Sequence, residues 1–472
     1  MICDTAFYFN RRMENQTGRT AINFPRESER RIDLLGFMVR YLHFTFLGPS
    51  QETKDTTWKK VLYYLVQFVM LFLYIPIFLG IALGLYKFRE NIADMTDILV
   101  TGVSFMTAFP SALYFVKNWD EIRKFMVLME TKSCFTNPFV YSNSNLLSII
   151  EETKRKCTLL TKAFVITEFI GICTFLCKPF ILNYLEDPNI NLTDEEYIMK
   201  QWKKMIYVIW FPVDLRESVI FYSIYTFQAL AAMTFFCHTS SVMSFNLVMI
   251  RYSAMQFTLT IEALSEIDNV TNSPTLESKT YSENRNISSS DMTVESFLRD
   301  LSPSHIPEHT LEQADSNEVF NYFRECILLH QIAISFAKQM NKLLSPLFVI
   351  YLLLPSISLV VSTFQLAMGG GLEKNAPYLS VSSIVLLYTF ALCSLGQTLI
   401  DESLAVDEAV YNVNWYTHPR CVKDLINFII MRSQNAVEIK ESGFPNVSIA
   451  TFSMIVNASY QWFTVLLNML HE

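Results

Sequence analysis

Glycine and proline are scarce in this sequence, at 12 and 16 of 472 residues, a profile of long helices rather than of loops or sheets. Charge is thin as well, 17% against about 25% in a soluble globular domain. A basic excess is missing: the net charge is −8, so nothing is available to neutralise phosphates and no nucleic-acid partner is expected. The nine cysteines form no CxxC pair and no His/Cys cluster with zinc spacing, and most sit in apolar stretches where Cys behaves as a small hydrophobe. No disulfide framework, metal site or cofactor is indicated. Enzyme signatures are also lacking: there is no Gly-rich phosphate loop, no GxSxG and no HExxH. Gly369-Gly370-Gly371 has no strand before it and reads as a flexible turn, because a phosphate loop needs a strand–loop–helix frame.

What is present is apolar: 51% of residues, with 38 Phe. Crossing a bilayer takes about 20 mostly apolar residues. Spans are read at 60–86, 95–117, 160–183, 217–248, 344–367, 378–400 and 450–470. A shorter stretch at 418–434, interrupted by Arg420, Lys423 and Arg432, reads as a half-buried helix, split from the last span by Ser442-Gly443-Phe444-Pro445. The apolar patch near Leu34 to Phe46 is broken by Arg40 and His43 and does not read as a cleaved signal peptide.

Basic residues set the orientation. Ten Lys and Arg precede or begin the first span, seven lie between the second and third, and seven between the fourth and fifth. The alternate connections carry two, four and one, the last being Lys374. The N-terminus is therefore expected in the cytosol and, after seven spans, the C-terminus outside. G-protein-coupled receptors run in the opposite sense, and neither a DRY box nor an NPxxY appears where they would carry one. A secondary transporter would show inverted repeats, and none is visible.

Five segments follow. Residues 1–59 form a cytosolic N-terminal segment, and 60–262 hold spans one to four with a cytosolic extension. Residues 263–316, rich in Ser, Asn, Thr, Glu and Pro from 268 onward, cannot bury enough apolar surface to order themselves and read as a disordered cytosolic insertion. Residues 317–434 hold a cytosolic helix, spans five and six and an intracellular anchor helix; 435–472 hold a turn and the last span. Phe320, Phe323, Ile327, Leu328, Ile332 and Phe336 recur at helical spacing. The fourth and fifth spans are thus expected to run on into the cytosol as long helices.

Three groups of residues could carry function. In the last span Ser453, Asn457, Gln461, Thr464 and Asn468 occupy an arc of about 80°. Val465 lies about 40° beyond its edge, and Phe452, Ile455, Phe463, Leu466 and Leu470 form the opposite face. Polar groups avoid lipid, so the seam faces protein or water. Two readings stand: a hydrogen-bonding seam inside one subunit, or a pore lining built by several copies, with Val465 as a hydrophobic constriction. Glu168, a carboxylate amid apolar residues of the third span, is either a binding site or a structural pair with a neighbouring Lys or hydroxyl; Lys178 nearby sits where it can snorkel. A pocket could be built from the outer halves of spans two, three, four and six by Phe105, Met106, Gly171, Phe175, Phe221, Tyr222, Tyr225, Tyr378, Val381 and Ser382, each of which alone is more often plain packing.

The last sixty-odd residues resemble the C-terminal region of insect odorant receptors. The carriers are Ala409 to Tyr416 with its Trp415-Tyr416 pair, Met431-Arg432-Ser433-Gln434, Gly443-Phe444, and Ser459 to Leu466. The resemblance implies an all-α membrane protein of seven helices with a split seventh helix lining a pore. It also implies a tetramer of this chain with itself or with co-receptor subunits, lodged in membrane lipid and conducting cations without selectivity when a small hydrophobic, volatile odorant binds. It places Val465 at the gate, Asn468 at a polar ring with Gln461 and Thr464 in the lining, and Gly171 and Phe175 in the pocket. The chain departs from the odorant co-receptor at Thr417-His418-Pro419-Arg420 and in its final segment, which favours a ligand-tuned subunit; the long insertion keeps the co-receptor open. Gustatory receptors share the fold, and Ser459-Tyr460-Gln461 echoes part of their signature.

Overall fold

The structure, a computed structural model, describes residues 35–49, 56–184, 194–268, 312–369, 371–417, 420–441 and 443–471. All of these belong to one unit, residues 34–472. The described residues are helical with short connections. In chain order the helices are α1 Gly36–Phe44, α2 Thr57–Phe72, α3 Tyr74–Lys87, α4 Ile92–Lys117, α5 Trp119–Lys132, α6 Pro138–Ser142, α7 Ser144–Tyr184, α8 Asp194–Lys204, α9 Ser218–Ser265, α10 Glu312–Ala367, α11 Leu372–Tyr411, α12 Arg420–Ser433 and α13 Ile449–His471.

Six of these stretches, counting α2 and α3 together, are long and apolar enough to cross a membrane. The break between α2 and α3 at Leu73 has a local cause. Pro76 cannot donate to the carbonyl of Phe72 and is tolerated only in a first turn, which is where α3 holds it. α13, the seventh span expected from the sequence, has 23 residues, about 34 Å of helix against about 30 Å of hydrocarbon, and with its polar stripe it is not among those six.

Several helices are far longer than a bilayer requires. α9 has 48 residues and α10 has 56. Both run on past their apolar segments, as the periodicity of 317–343 predicts: Phe323, Ile327 and Phe336 are buried, and Phe320, Leu328 and Ile332 half-buried. α7 at 41 residues and α11 at 40 extend as well, beyond the spans 160–183 and 378–400 expected from the sequence. Beyond the spans these helices, with α5 and the turns after it, close a second core: Phe125 stacks on Phe336 at 4.7 Å, Phe135 meets Tyr252 at 5.9 Å, and Phe139 meets Tyr322 at 4.9 Å. The proposed disordered insertion falls mainly on 269–311, outside the described residues.

α9 is the central post. From His238 to Leu264 nearly every side chain is buried, polar ones included. Some of its hydroxyls are satisfied on the preceding turn, as where Thr239 donates to the Phe235 carbonyl at 2.9 Å and Thr260 to that of Gln256 at 3.0 Å, whereas Ser244 and Ser253 are buried without a partner. α1, read from sequence only as an interrupted apolar patch, is a helix docked on this post. Met38 and Leu42 are buried, Tyr41 Oη lies 2.6 Å from Ser240 Oγ, and Ser241 bonds Thr45 at 2.7 Å.

The snorkelling expected of Lys178 is corrected. The side chain is buried, 6% exposed, and lies in the field of Asp97 on α4. Turned inward, its ammonium gains a carboxylate that the lipid-facing side would not give it.

Candidate functional site

The first candidate region is aromatic and lies where α3, α4, α7 and α9 converge. Phe105 is 1% exposed and meets Tyr207 at 5.0 Å, Phe235 at 5.3 Å and Tyr74 at 5.5 Å. Phe175 joins from α7, 5.9 Å from Tyr207. Tyr225 packs on the same cluster, and its hydroxyl donates to the Leu176 carbonyl at 3.2 Å. Pocket candidates from three helices therefore meet around a residue that none of them predicts.

That residue, Tyr207, belongs to the non-helical segment after α8. Met205 to Ile209 are all buried there, and the segment enters the bundle as an inner plug. A buried irregular segment needs partners for its backbone. Gln228, itself fully buried, supplies two: its Oε1 accepts from Tyr207 N at 3.0 Å and its Nε2 donates to Tyr207 O at 3.3 Å. A third is the Trp210 N–H, which donates to the Gly80 carbonyl at 3.2 Å. Sequence reading missed the plug because it has no helical period; its run of Tyr207, Val208, Ile209, Trp210 and Phe211 between two polar stretches was the available signal.

The other pocket candidates are placed elsewhere. Phe221 packs on a neighbouring cluster of Trp202, Met205 and Leu215. Tyr378 and Val381 pack with Val100 and Val361, and the Tyr378 hydroxyl donates to Asp97. Ser382 Oγ lies 2.8 Å from that of Ser362. Gly171 stands against α11, where a Cβ would come within 2.5 Å of Ile384 Cδ1. Met106 and Tyr222 face outward, 50% and 58% exposed. Glu168 is buried beside the Thr239 hydroxyl, the neighbouring-hydroxyl arrangement foreseen from the sequence, but its Oε2 makes no hydrogen bond.

The second candidate region is α13. Its entry is fixed by a close approach: Gly396 of α11 has no side chain, and the Val447 carbonyl occupies the space a Cβ would need. Gly443, at φ +83°, lets the chain turn before that point, in the left-handed region that glycine tolerates. Thr451 Oγ1 then donates to the Asn446 carbonyl at 2.6 Å, and Phe452 meets Phe390 of α11 at 5.4 Å. Farther along, Ser459 is buried and donates to the Ser356 carbonyl of α10 at 3.4 Å. A cavity of about 130 Å³ at this root is lined by Phe348 and Leu352 of α10 with Ile439, Phe444, Val447 and Ile455.

The Ser459 contact defines which way α13 faces. At about 100° per residue, Phe452, Ile455, Phe463 and Leu466 fall within about 40° of Ser459, and all four are half-buried. Asn457, Gln461 and Asn468 fall within about 20° of the opposite direction, and all three are exposed. Ser453 is exposed and Thr464 half-buried at the edge of that stripe, while Val465, 46% exposed, borders its other side. Of the two readings of the seam, hydrogen bonding inside one chain is therefore not what the fold does with it. The stripe points away from its own bundle.

The sequence model of a family described as 7tm odorant receptor matches residues 91–460. Odorant receptor 67a of Drosophila melanogaster is 23% identical over 442 residues, covering 91% of this chain and 94% of that one. Odorant receptor 67c of the same organism is 26% identical over 165 residues, a match that spans only 40% of that relative. Among solved structures, the olfactory receptor OR5 of Machilis hrabei in complex with eugenol superposes with a TM-score of 0.67 at 14% identity, covering 92% of this chain and 98% of that one. At that identity the likeness is one of fold.

Proposed function

The chain belongs to the 7tm odorant receptor family, a multi-pass protein of the cell membrane, and on that premise we propose that it is a subunit of a ligand-gated, non-selective cation channel opened by small volatile organic molecules. The observation that carries this reading is the outward polar stripe of α13. In a lone chain it would confront lipid with Asn457, Gln461 and Asn468, which is costly for unsatisfied amides. Four copies around an axis, from this chain alone or with co-receptor subunits, would turn the stripes toward one another and toward water. Amides then replace part of an ion's water shell, and a ring of Val465 closes the path by dewetting.

The aromatic cluster around Tyr207 supports the receptor half of the reading. It is apolar, enclosed and carries few polar groups, as a site for a small volatile would be. Its walls are α4, α7 and α9, and α9 packs along α10 and α11, the two helices that carry α13. Ligand occupancy thereby has a packed route to the lining. On this reading the N-terminus lies in the cytosol and the C-terminus outside.

The test is electrical. Cells lacking other odorant receptors, expressing this chain alone or with a co-receptor, are recorded during application of volatile compounds. An evoked cation current whose conductance changes with Asn468→Asp supports the reading. Evoked signalling through a second messenger, with no current of its own and no effect of Asn468→Asp, overturns it.

A further inference from the structure

Among the described residues, the charged groups Asp94, Asp97 and Lys178 at the membrane spans have partners of opposite charge or a hydroxyl donor. Asp97 accepts from the Tyr378 hydroxyl and lies in the field of Lys178, and Asp94 pairs with Lys203 at 2.7 Å. Glu168 is different. It is 8% exposed, its Oε2 makes no hydrogen bond, and among the described residues no lysine, arginine or histidine interacts with it; the Thr239 hydroxyl is the hydrogen-bonding group beside it. Two of the surrounding hydroxyls are engaged elsewhere, Tyr41 with Ser240 at 2.6 Å and Tyr351 with Ser111 at 3.2 Å, while Tyr388 accepts from the Asn246 amide at 3.5 Å.

We infer that Glu168 is the polar anchor for an amine ligand, an aliphatic one whose nitrogen pairs with the free carboxyl oxygen. This rests on the odorant-receptor reading above and names the chemical class that the receptor takes. A buried carboxyl without a partner is expensive, and a ligand that supplies the partner recovers that cost on binding. An amine fits in either protonation state. An ammonium N–H donates to a carboxylate; a neutral amine nitrogen accepts from a carboxylic acid, and passage of that proton to nitrogen leaves an ion pair. An alcohol can donate but leaves the charge uncompensated, and an acid brings a second one of the same sign. A divalent metal is excluded by donor count, since one carboxyl and one hydroxyl fall short of the six or more oxygens it requires.

The geometry also sets where the ligand's body lies. Seven residues on, Phe175 stands on the same face of α7, about 10 Å along the axis and about 20° round. It lies against Tyr207, in the aromatic cluster. At Gly171 between them the space is taken by the Cδ1 end of Ile384 from α11, a flexible side-chain tip that the ligand's chain would displace. An unbranched alkyl chain of about six carbons, anchored by nitrogen at Glu168, would lie along this face toward the aromatic rings.

The experiment measures binding rather than current. The full chain in lipid nanodiscs is titrated calorimetrically with hexylamine, hexanol and hexanoic acid. Hexylamine is expected to bind at least ~10-fold tighter than hexanol, the yield of one charge-assisted hydrogen bond over a neutral one, and hexanoic acid more weakly than either. Glu168→Gln, checked for an unchanged melting temperature without ligand, should bring hexylamine and hexanol within about twofold of each other. The inference is overturned by equal binding of amine and alcohol to the unsubstituted chain, by an amine preference that survives in Glu168→Gln, or by saturable binding of none of the three. The comparison on the unsubstituted chain needs no variant, so misfolding of Glu168→Gln does not weaken it. Amine binding by these rules, in a chain whose evoked signal is a second messenger with no current, sinks the channel reading and leaves this one standing.

Discussion

Ser459 of α13 donates its hydroxyl to the Ser356 carbonyl of α10 across 3.4 Å, and through the helical period this one contact turns Asn457, Gln461 and Asn468 to the far side. The face toward Ser459 is then structural and the far face functional. Val465→Asn and Val465→Ser, on the border of the far face, are expected to raise resting current several-fold at matched surface expression, because a polar ring stays wet when narrow. Leu466→Ser, on the near face and half-buried, is expected to cost about 1–2 kcal/mol of packing and to lower surface expression without leak. Silent Val465 variants beside a leaky Leu466→Ser would place the pore on the wrong face of the helix.

Gln228 holds the plug through both of Tyr207's backbone groups. Gln228→Leu keeps the volume but orphans a buried N–H and a buried C=O, at about 1–3 kcal/mol each when left unmade. Thermal melting of the purified chain should drop by several degrees, and ligand concentration–response curves should shift, since Tyr207 is the contact shared by Phe105 and Phe175. Gln228→Glu keeps the acceptor and should retain more of the stability than Gln228→Leu. Equal melting of Gln228→Leu and the unsubstituted chain would mean the plug does not depend on this clamp.

Two glycines make contrasting tests. At Gly171 an added Cβ meets the Cδ1 end of Ile384, a flexible side chain that can move aside; at Gly396 it meets the Val447 backbone carbonyl, which cannot. Gly171→Ala is expected to cost about 1–3 kcal/mol and to be relieved by Ile384→Val or Ile384→Ala. Gly396→Ala is expected to displace the root of α13 and abolish evoked current, with no relief from Val447→Ala, because the clash is with backbone. Measured surface expression and current for the single variants and their combinations decide this; normal gating in Gly396→Ala would show that the root of α13 tolerates displacement.

Much of the architecture was legible in the sequence because membrane crossing imposes a strong, local signal. Spans of about 20 apolar residues and the helical period of Phe323, Ile327 and Phe336 are visible without any partner. The stripe on α13 was legible for the same reason, although its outward direction was not, since that depends on Ser356, about a hundred residues away. The pocket was only partly legible. Phe105, Phe175 and Tyr225 do converge, but Met106 and Tyr222 share their depth and face outward, because depth along a helix does not fix azimuth. The plug around Tyr207 was illegible, since its burial is decided by Gln228 and Gly80 and not by any period of its own. Lys178 misled for a related reason: an end-of-span lysine reads as snorkelling until Asp97, from another helix, is seen to face it.

Asp97, Tyr378 and Lys178 give the last prediction. They tie α4, α11 and α7 together, with a lysine that is buried, and removing one charge strands the other in a poor solvent for ions. Lys178→Met alone leaves Asp97 with the Tyr378 hydroxyl and the weaker field of Lys203, whose ammonium is paired with Asp94. The expected loss approaches the ~3 kcal/mol lower end for breaking a buried pair. Asp97→Leu alone strands the lysine and should cost a similar amount. The double variant removes both charges and should recover part of the loss, because two apolar side chains of similar size leave no uncompensated ion. Melting temperature and surface expression of the two single variants and the double variant form a complete cycle. Additive losses in the double variant would mean that the two groups do not sense each other, and that the inward lysine is held by its surroundings rather than by Asp97.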